Sequence, residues 1–587
     1  MYSFERFFQE AKKYKKELIY ANILALFAVL VSTPTPLIMP VLVDEVLLKK
    51  PGIVTKTIDS FFGHSSPAYV YVGIMLVLVI VLRGLYFTFN YYQTKLFTIV
   101  SKNITFKLRE DLLKHLSCVA INELEFFGSG KSASLMVVDV DTIENFLGSF
   151  VSRLIISILT LIGVGVVLLL IHWQLALFIL ILNPFVVVLT TKIAKRVSVL
   201  KRNQNKAFEV FQDSLSETLE LFSQIRAANQ GKNFFSRVIS SAKEIKDKSI
   251  EFTYKSDGAS RFSFLVFLCG FEIFRAASIL VVAYSDLSVG LMLGIFGYLW
   301  VMMTPIQDVL NIQYAYHNAK KSLNRINSIF ALKCEPKYEH KCNPFLKSNT
   351  NSIEVKNLSF GYDEGKNILE NISLKIKKGT KIAIVGASGS GKTTLANLLV
   401  GLYTFSSGDI LFDDCSVKNI GLDIVRDHVY LVLQNPQMFN DTIRGNLTFG
   451  ARVDDEILYK ALEIAQLGDF VEGLERGLET EIGRAGVKLS GGQRQRISIA
   501  RMVVQNPNIV ILDESTSALD VHTENRLFES LNGYLKEKTT IIIAHRLSTI
   551  RKADYIYVLD NGAIKESGTH DELMSLEGTF YSYTKGI

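Results

Sequence analysis

The sequence predicts a polytopic α-helical membrane domain followed by an α/β domain built around a phosphate-binding loop. Hydrophobic residues make up 49% of the 587 residues, and the mean hydropathy is +0.25. These apolar residues are concentrated before residue 310. After residue 380, short apolar runs end in glycine-rich or acidic segments, as strands do at the ligand-binding edge of open α/β sheets.

Six apolar runs have about the length that a helix needs to cross a bilayer, roughly 20 residues. They are residues 18–43, 70–91, 151–171, 175–191, 262–284 and 289–304. Only His172-Trp173-Gln174 separates the third run from the fourth, so we expect a tight hairpin there. A soluble protein would need a very large core to bury six such runs. We therefore expect six transmembrane helices in a lipid bilayer.

Basic residues predict the orientation. Lysine and arginine are frequent in the N-terminal segment and in two long stretches, 95–148 and 192–261, whereas the links 172–174 and 285–288 carry neither. Because basic residues favour the cytoplasmic side, we expect the N-terminus, both long stretches and the α/β domain in the cytoplasm. This predicts a multi-pass protein of the cell inner membrane. The net charge of +7 is modest and does not indicate nucleic-acid binding.

A glycine-rich segment fits the pattern G-x-x-x-x-G-K-[ST]. It follows the apolar run 381–385, which indicates a buried strand, and it precedes a predicted helix. Main-chain N–H groups in such a loop close on phosphate oxygens, and the helix N-terminus adds partial positive charge. We expect Lys392 to reach the β- and γ-phosphates of ATP and the Thr393 hydroxyl to bind Mg²⁺. The predicted nucleotide-binding residues are Gly386, Ala387, Ser388, Gly389, Ser390, Gly391, Lys392, Thr393 and Thr394.

A second apolar run, 509–512, ends in adjacent acids, Asp513 and Glu514. A strand that ends there places both carboxylates at the carboxyl edge of the sheet. We expect Asp513 to hold Mg²⁺ and Glu514 to polarise the water that attacks the γ-phosphate.

A third motif lies between these two. Leu489-Ser490-Gly491-Gly492-Gln493 opens a predicted helix, so its N–H groups also suit an anion. The three motifs, in this order and spacing, resemble the ATPase domain of the ATP-binding cassette (ABC) family. The order of membrane domain, then cassette, resembles an exporter half-transporter of the multidrug or lipid type.

The resemblance implies roles for further residues. Tyr362 matches the aromatic residue that stacks on adenine, Gln434 matches the loop that senses Mg²⁺, and His545 matches the γ-phosphate histidine. Asp520 ends a segment that resembles the dimer-contacting loop. Ser490, Gly491, Gly492 and Gln493 would bind the ATP held by the opposite chain. The resemblance thus implies a head-to-tail homodimer that binds ATP and Mg²⁺.

One stretch departs from the family. Gly483-Arg484-Ala485-Gly486 stands where the family commonly has Gly-Glu-Arg-Gly. A base, Arg484, stands where the family usually has the acid that contacts the partner's membrane helices.

The predicted domains are a membrane domain at 1–325, a linker at 326–352 and the ATPase at 353–587. Residues 106–116 indicate a helix that continues out of the membrane. Residues 125–143 and 216–226 resemble the two intracellular loops of exporters, whose short tip helices would dock on the cassettes.

The five cysteines are scattered along the sequence and suit a reducing compartment without a disulfide framework. Cys334, His340 and Cys342 are close in sequence, but no Cys-x-x-Cys pair supports a metal site there.

Two charged residues lie within the fifth predicted span. Glu272 and Arg275 are three residues apart, so they share a helix face. Ionisable groups at that depth usually line a cavity or pair with each other, and both readings stay open.

The sequence therefore predicts an ATPase that exports or flips a substrate by alternating access. A flippase for lipid or lipid-linked glycan is the alternative within the class. A cassette ATPase that regulates a channel or receptor is the alternative from another class. The sequence does not identify the exported substrate.

Overall fold

The computed structural model describes residues 1–50, 52–62, 67–285, 287–362, 366–516, 518–544 and 547–585. The chain divides into two compact units. The first, here called the helical unit, consists of Met1–Lys114 and Gly130–Ala331. The second, the α/β unit, consists of His115–Ser129 and Leu332–Ile587.

Thirteen helices precede the first strand among the described residues. They are α1 (Phe4–Ala11), α2 (Lys15–Ser32), α3 (Ile38–Pro40), α4 (Ile53–Phe62), α5 (Ala68–Leu116), α6 (Ile121–Phe127), α7 (Ser129–Ser134), α8 (Val140–Asn145), α9 (Val151–Ile171), α10 (Trp173–Glu220), α11 (Phe222–Ala227), α12 (Gly231–Tyr284) and α13 (Val289–Phe330). Short 3-10 or π-helical segments lie at Lys12–Tyr14, Thr35–Leu37, Val41–Leu47, Leu135–Asp139 and Phe146–Phe150.

Five helical stretches among the described residues are long and apolar enough to cross a membrane. They are Phe4–Leu47, Ala68–Leu116, Ser129–Ile171, Gly231–Tyr284 and Val289–Val309. Each contains one of the predicted spans. The remaining predicted span, 175–191, lies in α10, and most of its side chains are outside the described part of the chain.

Proline shapes the first of these stretches. Its prolines lack the N–H that a continuous helix needs, so α2 ends at Ser32 and the chain passes through a 3-10 turn. The Tyr298 hydroxyl of α13 donates a hydrogen bond of 2.6 Å to the Thr33 carbonyl at this break. A Cβ at Gly290 would lie 2.7 Å from Pro40 Cα, so glycine permits the close approach of α13.

The predicted hairpin at 172–174 is present. His172 is extended and ends α9, and its ring nitrogen accepts a hydrogen bond of 3.4 Å from the Leu175 N–H at the start of α10. Val164 and Leu168 of α9 pack in one buried cluster with Leu175 and with Tyr298 of α13. The hairpin is therefore fixed by apolar packing on both of its arms.

The two long polar stretches are helical, as predicted. The helix α5 continues without a break from its apolar part to Leu116, and α10 and α12 pack against each other as long helices. Short helices lie within both stretches, α6 in the first and α11 in the second. The segment that contains α6 belongs to the α/β unit, where the Tyr403 hydroxyl donates to the Glu125 carboxylate at 3.1 Å.

The α/β unit contains ten strands and eleven further helices among its described residues. The strands are β1 (Ile353–Phe360), β2 (Leu369–Ile376), β3 (Lys381–Val385), β4 (Ser407–Phe412), β5 (Cys415–Ser416), β6 (Val429–Val432), β7 (Ile509–Asp513), β8 (Thr539–Ile543), β9 (Tyr555–Asp560) and β10 (Ala563–Gly568). The helices are α14 (Lys392–Leu399), α15 (Val417–Ile420), α16 (Leu422–His428), α17 (Ile443–Thr448), α18 (Asp455–Ile464), α19 (Gly468–Glu472), α20 (Gly491–Gln505), α21 (Val521–Leu535), α22 (Leu547–Ile550), α23 (His570–Ser575) and α24 (Thr579–Lys585).

The strands form two sheets. The larger sheet has the order β10-β9-β3-β8-β7-β6, and its pairs from β9 to β6 are parallel. Alternate residues of β7 enter different cores: Val510 and Leu512 face one apolar cluster, and Ile509 and Ile511 face the other. Both faces are therefore buried, which explains the unbroken apolar runs in the sequence. The smaller antiparallel sheet has the order β2-β1-β4-β5.

Four of the five cysteines, although scattered along the sequence, lie in two close pairs, which differs from the expectation of no disulfide framework. The Sγ atoms of Cys118 and Cys334 are within bonding distance, as are those of Cys342 and Cys415. Cys334 thus meets Cys118, not Cys342, its neighbour in sequence. The sequence separation of 216 residues between Cys118 and Cys334 kept this pair out of reach of motif analysis.

Glu272 and Arg275 form the predicted ion pair on α12, with Arg275 Nη2 and Glu272 Oε2 2.5 Å apart. They are not buried within this chain, because their side chains are 53% and 51% exposed. The opposite face of α12 carries Phe274, which is fully buried in the helical core. The pair therefore points away from the packed interior of its own chain.

Candidate nucleotide site

The loop after β3 adopts the conformation that its glycines allow. Gly389 and Gly391 have φ values of +80° and +102°. A Cβ at Gly391 would also lie 2.6 Å from Leu369 Cδ2, so the start of α14 leaves no room for a side chain. Within the loop, the buried Ser390 hydroxyl oxygen has no hydrogen-bond partner among the described residues.

Lys392 is the first residue of α14 and is only 6% exposed. Its ammonium donates hydrogen bonds of 2.9 Å to the carbonyls of Gly386 and Ala387. Burial lowers the pKa of the Lys392 ammonium, and the carboxylates of Glu514 and Asp513 oppose that shift. The structure thus places the loop lysine near enough to both predicted acids for their charges to affect its pKa.

The acids lie at the carboxyl end of β7, as predicted. Asp513 is the last residue of the strand and is buried. Glu514 adopts φ +43°, in the left-handed region that residues other than glycine seldom occupy. Its N–H donates to the Ile543 carbonyl of β8 at 3.2 Å. Such a backbone conformation needs support from its surroundings and is common at functional sites.

Gln434 lies beside Glu514. Its amide Nε2 donates a hydrogen bond of 2.6 Å to Glu514 Oε2. Because the amide nitrogen is committed to Glu514, the amide oxygen is the atom left for a cation. The structure therefore joins the two residues for which sequence analysis predicted Mg²⁺ sensing and water activation.

Ser490 caps helix α20 with a reciprocal pair of hydrogen bonds. The Gln493 N–H donates to the Ser490 hydroxyl at 3.1 Å, and the Ser490 N–H donates to Gln493 Oε1 at 2.7 Å. A Cβ at Gly492 would lie 2.8 Å from Leu519 Cδ2, so glycine lets the loop after Glu514 pack on the helix start.

The other predicted site residues are distributed around this core. Tyr362 shares a hydrogen bond of 3.2 Å with the buried Thr394 hydroxyl and meets Tyr403 edge to face, while Thr393 is exposed. Asp520 caps α21, and the Thr523 N–H hydrogen bond lowers the pKa of its carboxyl. His545 lies outside the described residues.

The unusual stretch before α20 forms a tight turn. Residues Arg484–Gly486 make a short 3-10 turn in which Ala485 adopts φ +54°. The Arg484 side chain lies outside the described part of the chain.

Comparison with known proteins identifies the family. The ABC transporter family model matches residues 369–517, and the model of the ABC transporter transmembrane region matches residues 37–306. An ATP-dependent lipid A-core flippase of Legionella pneumophila (strain Philadelphia 1) is 31% identical over 535 residues, which cover 89% of this chain and 87% of the relative. The chain belongs to the ABC transporter family.

Two further proteins are similar to this ABC transporter over nearly the whole chain. YgaD of Bacillus subtilis, whose name carries a proposed role in multidrug export, is 29% identical over 586 residues and 98% of each chain. A solved structure of a bacterial Atm1-family ABC exporter with ATP bound has a TM-score of 0.80 at 24% identity and 98% coverage of both chains. The latter shows that the fold is shared. The predicted exporter architecture and ATP-driven export or flipping are confirmed.

Sequence analysis missed one residue that holds the site of this ABC transporter together. Gln495, buried on α20, donates from Nε2 to the Gln434 carbonyl at 3.1 Å and accepts from the Ala518 N–H through Oε1 at 3.1 Å. One amide thus ties the Gln434 segment to the loop after Glu514. A polar residue on the apolar face of a predicted helix was the available signal.

Gln495→Glu keeps the acceptor for Ala518 but replaces the donor to Gln434 with a carboxylate. We expect ATPase turnover to fall by up to about 10²-fold, because the Gln434 segment loses its register against Glu514. Steady-state ATPase assays on purified protein measure this. Gln505→Glu, on the exposed end of the same helix, is the matched control. Equal ATPase turnover in the two variants would show that the Gln495 amide does not position the Gln434 segment.

Proposed function

We propose that this chain forms a homodimer in the cell inner membrane, with its ATPase units in the cytoplasm. Each dimer exports or flips one substrate by alternating access. The observation that carries the proposal is the group formed by Lys392, Glu514 and Gln434, because it combines a phosphate-binding cation, a base and an amide at one sheet edge.

The donor set fits ATP and Mg²⁺. The Ser390 hydroxyl, which has no protein partner among the described residues, and the N-terminus of α14 suit phosphate oxygens. The Thr393 hydroxyl, the Asp513 carboxylate and the Gln434 amide oxygen are hard oxygen donors of the kind that Mg²⁺ takes. When bound, Mg²⁺ would neutralise charge that develops on the phosphates.

In this proposal each residue has a separate task. Lys392 exchanges its bonds to the loop carbonyls for bonds to phosphate oxygens. Glu514 accepts the proton of the attacking water, and Gln434 holds that carboxylate in place. Tyr362 stacks on adenine, and His545 binds the γ-phosphate. Ser490 and Gly491 contact the ATP of the partner, and Asp520 lies at the dimer contact.

Glu514→Gln removes the base but keeps the size of the side chain and its polar contacts. We expect ATP binding to remain and turnover to fall on the order of 10²- to 10⁴-fold, with dimers trapped in the nucleotide-bound form. Nucleotide binding and ATPase assays separate the two effects. Glu529→Gln, on the exposed face of α21, controls for loss of charge alone. Normal turnover in Glu514→Gln would refute the assignment.

Complementation tests the head-to-tail homodimer. Subunits with Lys392→Ala and subunits with Ser490→Arg should each be inactive alone. In mixed dimers, one composite site retains an intact phosphate loop from one chain and an intact Ser490 segment from the other. We expect partial recovery of ATPase activity in the mixture. Mixed dimers that form but stay inactive would show that each chain builds its site alone.

We propose that the Glu272–Arg275 pair lines the substrate path. A charged side chain at the centre of a membrane helix costs about 2.5–3.5 kcal/mol. A lipid-facing position would desolvate both charges, and their attraction repays that cost only where further hydrogen bonds satisfy the remaining polar groups of the pair. Water or polar substrate groups in a cavity would supply the missing solvation.

Single changes, Glu272→Gln and Arg275→Met, should therefore alter which compounds stimulate the ATPase. If the pair is only structural, each single change should destabilise the membrane domain for every compound alike, and the double variant should recover stability. Thermal unfolding and stimulated ATPase, measured on the three variants across lipids, peptides and drugs, distinguish these outcomes. Uniform loss with recovery in the double variant would refute a role in substrate recognition.

Lipid is the favoured class of substrate, since the relatives from Legionella pneumophila are named lipid A-core flippases. Reconstituted vesicles with labelled lipids and with labelled drugs test it. Faster ATP-dependent movement of lipid than of drug is the expected result.

A further inference from the structure

A cluster of metal-binding side chains lies in the α/β unit and has no role in the nucleotide site. It consists of His115, Cys118 and Cys334, whose ring nitrogen and sulfur atoms all lie within 4.8 Å of one another. His115 and Cys118 are half-buried, and Cys334 is exposed. Two thiols and an imidazole are the ligands that Zn²⁺ prefers in proteins.

Main-chain hydrogen bonds hold the two parts of this cluster together. Val119 and Cys334 form an isolated antiparallel bridge. The Glu335 N–H donates to the Cys118 carbonyl at 2.8 Å, and the Ala120 N–H donates to the Lys333 carbonyl at 3.0 Å. The Cα atoms of Cys118 and Cys334 are 5.0 Å apart. Because backbone bonds set this distance, the main chain holds the two cysteines next to each other without a bound ion, and the two thiol sulfurs would separate by side-chain rotation to bind one.

A second anchor lies next to the cluster. The Arg426 guanidinium donates two hydrogen bonds, of 2.9 and 2.8 Å, to the two carboxylate oxygens of Glu335. A bidentate pair of this kind fixes direction as well as distance. The residue that follows Cys334 is therefore held firmly against α16.

The imidazole is oriented for coordination. His115 Nε2 lies 3.2 Å from the Leu332 carbonyl, which can only accept, so the ring proton belongs on Nε2. The unprotonated Nδ1 then faces Cys334 Sγ at 3.8 Å. A backbone carbonyl that accepts from the second nitrogen is the usual outer contact of a metal-binding histidine.

We propose that reduced His115, Cys118 and Cys334 bind one Zn²⁺ through Nδ1 and two thiolates. Binding releases the two thiol protons, and a water molecule completes the tetrahedron on the exposed side of Cys334. The ion would fix segment His115–Ser129 to the residues that lead into the ATPase. This inference does not depend on the transported substrate.

The second cysteine pair provides an internal comparison. Cys342 and Cys415 also approach each other, with Cα atoms 6.8 Å apart. No third ligand joins them in the part of the chain that the structure describes, since the group at His115 is the one such cluster found there. A thiol pair with a correctly oriented imidazole favours a metal, whereas a thiol pair alone does not.

The test measures Zn²⁺ in the full chain, purified in detergent with a reductant and dialysed free of loose metal. We expect about one tightly bound Zn²⁺ per chain. His115→Ala, Cys118→Ser and Cys334→Ser should each weaken Zn²⁺ at least about 10- to 100-fold in competition with a chelating dye. Cys342→Ser and Cys415→Ser are the matched controls and should keep the wild-type affinity. Co²⁺ in place of Zn²⁺ should give thiolate-to-metal absorption that disappears in Cys118→Ser.

Retained ATPase activity shows that each variant is folded. If a serine variant fails to fold, Cys118→His keeps a zinc ligand and should retain the ion. No bound Zn²⁺ in the reduced wild type would overturn the proposal. So would equal loss in the Cys342 and Cys415 controls, or a thiol count showing Cys118 and Cys334 joined as a disulfide under reducing conditions.

Discussion

The parallel pairing of β3, β8 and β7 is the constraint on which the nucleotide site depends. Ile384 of β3 and Asp513 of β7 both pair with Ile543 of β8, so all three strands end at the same level. The phosphate loop and the two acids are more than a hundred residues apart in sequence, and this register alone brings them to one edge. Apolar packing on both faces of the sheet fixes the register, because a one-residue slip would exchange the two cores.

Helix α20 is a second element that positions the residues of the nucleotide site. The helix begins at the Ser490 segment and also carries Gln495 and Arg501. The Arg501 guanidinium donates to the Gln437 carbonyl at 3.0 Å and to Asn446 Oδ1 at 2.7 Å. A buried cation costs free energy unless such bonds satisfy it, which makes the segment after Gln434 intolerant of displacement. The same helix therefore positions the part of the site proposed for the partner's ATP and the segment beside its own Glu514.

Whether a feature could be predicted from the sequence depends on how far apart in the sequence its interacting residues lie. The phosphate loop, the paired acids and the helix cap at Ser490 are local, so sequence spacing was sufficient. The left-handed backbone of Glu514 and the bridging amide of Gln495 are set by neighbours distant in sequence. Likewise, Cys334 lies beside Cys118 and not beside Cys342, because a backbone bridge between remote segments brings the first two together. The exposure of Glu272 and Arg275 within one chain also could not be predicted from a helical pattern in the sequence.

Aromatic and hydrogen-bond contacts connect the nucleotide site to the rest of the α/β unit. This unit contains a segment from the first half of the chain, His115–Ser129, which begins with the last two residues of α5. Tyr403 holds that segment through Glu125, and Tyr403 also meets Tyr362, the residue proposed to stack on adenine. Tyr403 therefore contacts both the residue proposed to stack on adenine and the segment that contains α6. The backbone bridge between Val119 and Cys334 secures the start of the segment, so the segment is held at two points within the α/β unit.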